Sequence, residues 1–129
     1  EFELRWKPVD ALLLRAHFTR LITRVVDSDE PLRQRPGKRA GVQLSWALDE
    51  RWSLAWSTEY AADIFDSSIP TGNLLLPSYL RSDAAVVFQA NKRLRAAVAI
   101  DNVFDRDNEW YVGFVAPGRR LRLDLSATY

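Results

Sequence analysis

From Arg120 to Tyr129 the chain alternates at every step. Leu121, Leu123, Leu125, Ala127 and Tyr129 fall on one side; Arg120, Arg122, Asp124, Ser126 and Thr128 fall on the other. Successive side chains of an extended backbone point to opposite faces, so a two-residue period makes a strand with one apolar and one wet face. The same period recurs upstream. Phe2, Leu4 and Trp6 alternate with Glu3, Arg5 and Lys7, and a turn is expected at Pro8-Val9-Asp10. A second strand starts at Ala11, with Leu12, Leu14, Ala16 and Phe18 on one face. Its phase slips near Arg20-Leu21, which reads as a bulge or as a strand rising past a membrane boundary. A third runs from Lys38 to Leu48, and a fourth from Trp52 to Ala62. A fifth covers Tyr79 to Ala90, and a sixth Arg93 to Phe104. The terminal alternation makes the seventh.

The connections sort into two kinds. Those at Pro8, Asp49-Glu50-Arg51 and Asn91-Lys92 are tight turns. Those at 27–36, 63–78 and 105–117 are long loops, with prolines and charges. Short and long alternate, so all long loops lie at one end of an antiparallel meander. A soluble meander has no reason for that segregation, whereas an outer-membrane barrel has short periplasmic turns and longer outer loops. The strands are about 10 residues long, enough for a tilted strand to cross the hydrocarbon. The apolar faces of strands three, four, six and seven avoid charge. The opposite faces carry Arg39, Glu59, Arg95, Asp101, Arg120, Arg122 and Asp124. Trp6, Trp46, Trp52 and Tyr129 stand beside the short turns or the chain end, where an interfacial aromatic girdle is expected.

Several blocks resemble TonB-dependent outer-membrane receptors, most closely the cobalamin-receptor-like branch. The most specific are Asn102-Val103-Phe104-Asp105 and Pro117-Gly118-Arg119, followed by the strand that closes on Tyr129. Leu32-Arg33-Gln34-Arg35-Pro36-Gly37-Lys38, the Phe65-Asp66 pair after Tyr60, and Tyr79-Leu80-Arg81-Ser82-Asp83 resemble late-strand segments of the same family. The sequence has Val103 where the family usually has Leu, and Asn108 where an aromatic is common. The resemblance implies that residues 1–129 are the C-terminal part, the last seven strands, of a barrel of about 22 strands. It implies import of a large scarce nutrient, a cobalamin or a ferric siderophore. The N-terminal plug and the segment that engages TonB would lie outside this stretch. It also implies that Leu121, Leu123, Leu125, Ala127 and Tyr129 carry the C-terminal signal read by the barrel assembly machinery. Asn108, in a loop, is expected to be a neutral position for assembly.

Other chemistry finds little support. The 129 residues fit one domain and include no cysteine, so there is no disulfide framework and no thiolate metal site. No nucleophile elbow, phosphate loop, zinc-protease or dinucleotide motif is present, and no enzymatic activity or cofactor is expected. His17 is the only histidine and reads as a polar-face or rim residue rather than a ligand or base. Asp105, Asp107 and Glu109 are spaced like oxygen ligands for calcium. They lack the glycine and distal glutamate of a calcium loop, so turn chemistry is the better reading. Arg119, Arg120 and Arg122 interleave with leucines in a chain of net charge +1, which argues against nucleic acid. No apolar run approaches a membrane helix, and the opening residues do not read as a secretory leader. An exported protein would carry this stretch as an internal or processed piece. Two alternatives remain at this level. A complete small barrel, acting as a pore or in adhesion, needs an even strand number. A soluble β-sandwich would turn the apolar face inward.

Overall fold

A computed structural model describes residues 1–26 and 30–128. Seven strands form one sheet: β1 (Phe2–Val9), β2 (Leu12–Arg20), β3 (Lys38–Ala47), β4 (Trp52–Ala62), β7 (Tyr79–Gln89), β8 (Leu94–Asp101) and β11 (Arg120–Ala127). Two hairpins account for the intervening numbers: β5 (Ile64–Ser68) with β6 (Gly72–Leu76), and β9 (Glu109–Tyr111) with β10 (Phe114–Val115). The large sheet runs β1-β2-β3-β4-β7-β8-β11, every pair antiparallel, so each strand lies beside its neighbour in the meander. This is the all-β, seven-strand meander that the alternation predicts.

Three local details differ from the sequence reading or go beyond it. The first turn is not at Pro8: β1 continues through it to Val9, with an irregular register between Trp6 and Val9, and turns at Asp10-Ala11. β1 is an edge strand in this sheet, where a proline is tolerated. Of the two readings of the slip near Arg20, the bulge is not seen: β2 pairs with β3 without interruption from Leu12 to Arg20 and then ends. The connections at 63–78 and 105–117, read from the sequence only as long loops, each contain a hairpin. Gly72, which opens β6, and Gly113, in the turn between β9 and β10, have φ of 64° and 82°. That left-handed conformation is one that a side-chain-free residue adopts readily. The tight turns are built as expected. The Asp49 carboxylate accepts from the amides of Arg51 and Trp52 at 2.7 Å, and Asn91 Oδ1 accepts from those of Arg93 and Leu94 at 2.9 and 3.1 Å.

The register fixes the faces, because directly opposed residues share one. A single row reads Trp6, Leu14, Leu44, Trp56, Ala84, Ile100, Leu121 across all seven strands. The next such row reads Leu12, Trp46, Leu54, Val86, Val98, Leu123. Leu123 and Leu125 are 75% and 76% exposed, and Val42, Trp46 and Val98 are exposed too. A few polar atoms on this face satisfy one another. Trp56 Nε1 donates to Thr58 Oγ1 at 2.9 Å, and that hydroxyl lies 2.9 Å from Ser82 Oγ.

The long-loop end of the sheet is oblique. By register Asp101, the last residue of β8, lies level with Gln43, five residues below Lys38 on β3, across three strand spacings. That is roughly 17 Å along the strands against roughly 14 Å across them. Strands leaning by about 45° to a common plane produce such a slope.

The buried apolar side chains are not in the middle of the sheet. Ala62, Ile64, Phe65, Leu76 and Ala116 are all at the long-loop end, where the β5–β6 hairpin and the 102–118 segment pack over it. Phe65→Ala is expected to cost this cap about 3–5 kcal/mol. In hydrogen exchange, amides of 64–76 should lose protection while those of β3 and β4 keep theirs; equal loss in both would mean that cap and sheet are one cooperative unit.

Candidate functional site

The residues singled out in the sequence are spread over the sheet rather than gathered into a pocket. Leu121, Leu123, Leu125 and Ala127 occupy the apolar face of β11, opposite Ile100, Val98, Ala96 and Leu94. Tyr129 lies outside the described residues. Trp6, Trp46 and Trp52 share the apolar face but stand in successive rows. Trp6 is level with Leu44 and Trp56, Trp46 lies two residues nearer the short turns, and Trp52 four.

The two most specific sequence blocks interlock at the long-loop end. β8 stops at Asp101, and Asn102 and Asp105 both take positive φ, 52° each, to reverse the chain. The Asn102 side chain is buried. Its Nδ2 donates to the carbonyls of Arg106 and Pro117 at 2.9 and 3.4 Å, and its Oδ1 accepts from the Arg106 amide at 3.1 Å. Asp105 Oδ1 accepts from the Arg119 amide at 2.7 Å, and a Cβ on Gly118 would sit 3.1 Å from the same oxygen. The Asn-Val-Phe-Asp block and the Pro-Gly-Arg block are thus halves of one clasp. Phe104, between the two reversals, meets Trp56 edge-on at 6.2 Å.

Asn108, expected to be a neutral position for assembly, is not a solvated loop residue. It is buried, and its amide group pairs with the backbone of Leu80: Oδ1 accepts from the Leu80 amide at 2.8 Å and Nδ2 donates to the Leu80 carbonyl at 3.0 Å. The side chain substitutes for a strand where β8 has already ended. Nothing in a one-letter sequence distinguishes such an Asn from a solvated one.

Asp66 joins three connections. Its Oδ2 accepts from the Val112 amide at 3.0 Å and its Oδ1 from Gln34 Nε2 at 3.4 Å, while the Gln34 amide donates to the Phe65 carbonyl at 2.8 Å. The Val112 amide chiefly holds this carboxyl below the usual carboxylate range. Burial opposes that shift, and the Ser67 amide, Gln34 and Arg33 assist it.

On the polar face Asp101 is nearly buried and sits among three guanidinium groups. Arg122 Nη2 is 2.7 Å from its Oδ1, Arg120 Nη2 3.4 Å from its Oδ2, and Arg81 Nη2 3.8 Å away. Arg81 also bonds Asp83 at 2.8 Å. His17 lies on this face too, with Nε2 3.6 Å from Glu59 Oε2 across Gly41, where any Cβ would collide with both side chains. Glu109 Oε1 accepts from the Gly113 amide at 2.6 Å, so it and Asp105 both serve loop geometry. Above the polar face a concavity of about 390 Å³ is lined by Gln34, Arg39, Glu59, Tyr79, Trp110 and Tyr111. Tyr79 and Trp110 meet edge-on there at 5.6 Å. An aromatic wall with a guanidinium and a carboxylate suits a flat, charged, partly aromatic ligand. The sequence reading missed this grouping. The Val112-Gly113 turn between Trp110-Tyr111 and Phe114-Val115 is a hairpin signal that would have placed the aromatic pair.

No protein-family model matches the chain. Among solved structures it is similar to the siderophore receptor PiuA from Acinetobacter baumannii, with 18% identity, a TM-score of 0.80, and coverage of 98% of this chain and 21% of that one. It is similar to the ferripyoverdine receptor of the outer membrane of Pseudomonas aeruginosa, seen bound to ferripyoverdine, with 16% identity, a TM-score of 0.81, and coverage of 97% and 18%. The ferric-catecholate import receptor Fiu from K12 E. coli matches with 15% identity, a TM-score of 0.78, and coverage of 97% and 20%. The chain therefore spans about a fifth of the length of these receptors. Its fold is that of a stretch of their β-barrel wall.

The Asp66 clamp predicts a pH response. A carboxyl whose folded pKa is depressed contributes stability above its unfolded value, about 3.9, and loses it as pH falls through the lower folded value. Hydrogen-exchange protection around Asp66 and Val112 should hold at neutral pH and fade below about pH 4. Asp66→Asn, which loses the charged acceptor, should weaken the clamp by about 1–3 kcal/mol at neutral pH and flatten the acid response. Protection that fades identically in both proteins would place the acid-sensitive group elsewhere.

Proposed function

We propose that residues 1–129 are a C-terminal stretch of the barrel wall of a TonB-dependent outer-membrane receptor that imports a large, scarce nutrient. One observation carries this reading: a seven-stranded meander leaves a broad apolar face exposed, with all its long connections at one end. In water such a face would be a liability, since soluble monomers seldom expose apolar patches beyond about 300–600 Å². In a bilayer it is the surface that meets lipid. The hydroxyls of Thr58 and Ser82 and the Trp56 indole pair with one another on this face, as polar groups in hydrocarbon must. A β-sandwich would not leave Leu123 and Trp46 exposed. A complete small barrel would pair β1 with β11, which stand at opposite ends of the strand order. The unpaired edges of β1 and β11 are where the rest of the wall would add. TonB and the plug would act through parts of the receptor outside this stretch.

The tryptophan rows support the girdle assignment. From Trp6 on β1 to Trp52 on β4 the offset is four residues over three strand spacings. That is roughly 13 Å against roughly 14 Å, a lean of about 43°. Transmembrane strands tilt by about 35–45°, so residues offset in this way lie at one depth in the membrane. With Tyr129 they would make the periplasmic ring. The long loops then face outward, and the aromatic concavity beside Arg39 and Trp110 is the part of this chain that a ligand arriving from outside would meet. Likeness to receptors for ferric siderophores favours an iron chelate as cargo; a cobalamin is the second reading.

Two experiments on the full-length protein test these points. Cells lacking the receptor should fail to grow when a ferric siderophore is the sole iron supply, and Trp110→Ala should lower siderophore affinity about tenfold or less, the worth of one stacked aromatic. Loss of cobalamin-dependent growth instead would move the cargo to the second reading. Deleting Tyr129, or changing it to Asp, should sharply lower the heat-modifiable, membrane-embedded protein on a gel. Ile69→Ser, at a fully exposed hairpin tip, should leave it unchanged. Equal amounts for the Tyr129 deletion and the parent would remove the assembly signal from the chain end.

A further inference from the structure

The apolar face is free of charge except at one place. Among residues in register on the seven strands, only Arg20 and Lys38 carry charge on that side. They stand directly opposite each other at the long-loop ends of β2 and β3, one row above Phe18 and Ala40. Like charges so opposed repel, and each is expected to have a counter-charge. Lys38 Nζ has Asp63 Oδ2 at 3.0 Å. The Arg20 side chain is exposed and forms no ion pair among the described residues. Immediately below the two cations the face is hollowed into an apolar depression of about 260 Å³. Its floor is Ala16, Ala40 and Val42, and Phe2, Phe18 and Tyr60 wall it. A cationic pair above a small apolar trough matches an amphiphile with an anionic head and an alkyl tail.

We propose that this place binds a phosphorylated lipid of the outer leaflet, its phosphate on Arg20 and Lys38 and one acyl chain in the trough. The inference rests on the outer-membrane reading, which puts the long-loop end outward and this face against lipid. Depth agrees with it. Lys38 lies eight residues from Trp46 on β3, about 27 Å along the strand and about 19 Å of membrane depth at a 45° lean. In an apolar band about 25 Å tall that is about 6 Å short of the outer border, a gap that long basic side chains span to bring their charges to the headgroup phosphates. A basic side chain at such a border gains from nearby anionic lipid charge. Free phosphate would have the two cations but nothing to fill the trough.

The test uses the full-length protein in a zwitterionic detergent and native mass spectrometry with a bisphosphorylated acyl glycolipid, its dephosphorylated form, and inorganic phosphate. The parent should bind the bisphosphorylated lipid at least tenfold more tightly than the dephosphorylated one, and millimolar inorganic phosphate should not displace it. Arg20→Gln with Lys38→Gln should lose about tenfold in affinity, and Ala40→Phe, which fills the trough, should lose affinity with both cations in place. Lys92→Gln with Arg93→Gln, at the opposite end, should bind as the parent does. Heat-modifiability of each variant shows whether it is folded; Arg20→Gln alone serves if the double variant is not. Equal affinity of the folded Arg20 variant and the parent, or equal binding of the dephosphorylated lipid, overturns the site. Displacement by inorganic phosphate reduces it to a phosphate contact and overturns the lipid assignment. A parent that does not embed in the membrane at all refutes the receptor reading instead, so the two failures are told apart.

Discussion

The structure depends on one constraint: a seven-stranded sheet has an apolar face that the described residues leave largely uncovered, with Phe104 on Trp56 at its margin. Backbone hydrogen bonds hold the strands in register, and register alone carries the rows of Leu, Val and Trp from one strand to the next. A slip of one residue in any strand would turn its polar side chains into the apolar face. Among the described residues, no side chain on this face of the strands is large, apolar and fully buried, so the burial that normally fixes register is weak here. In the proposed receptor, lipid on that face and further strands on the edges of β1 and β11 would supply what is missing.

Order at the long-loop end comes from a different source. There the chain has its small buried core around Ile64, Phe65 and Leu76, and its buried polar groups Asp66, Asn102 and Asn108. Each polar group is bonded to backbone of another segment: Asp66 to Val112, Asn102 to Pro117, Asn108 to Leu80. A buried polar group left without a partner costs about 1–3 kcal/mol, so these side chains hold the loops in one arrangement. The aromatic concavity is made on that arrangement. Tyr79 comes from the sheet, and Trp110 and Tyr111 from a hairpin that Asp66 helps to dock.

The polar face follows a third logic. Asp101 among Arg81, Arg120 and Arg122 is a network in which the excess of guanidinium groups leaves positive charge for another surface. His17 and Glu59 meet over Gly41 because only a glycine leaves room between them. A polar wall of this kind fits the water-filled lumen of a barrel.

What the sequence determined by itself is the strand pattern: seven alternating segments, their antiparallel order, the side each residue takes, and the short turns at Asp49 and Asn91. These are local properties, set by a two-residue period and by side chains that bond backbone two or three residues away. Pro8 was misplaced because a strand's position in the sheet, edge or centre, decides whether it admits a proline. The hairpins in the long connections were missed because each is short and gains its order from packing on the sheet. Only the tertiary structure decided that Asn108 completes the ladder beside Leu80, that the Asn102–Asp105 and Pro117–Arg119 blocks form one clasp, and that Arg20 and Lys38 stand together above an apolar trough. Each of these joins residues from separate segments, and the spacing of residues along one chain holds no record of which distant backbone groups will lack a partner until the strands have been laid side by side.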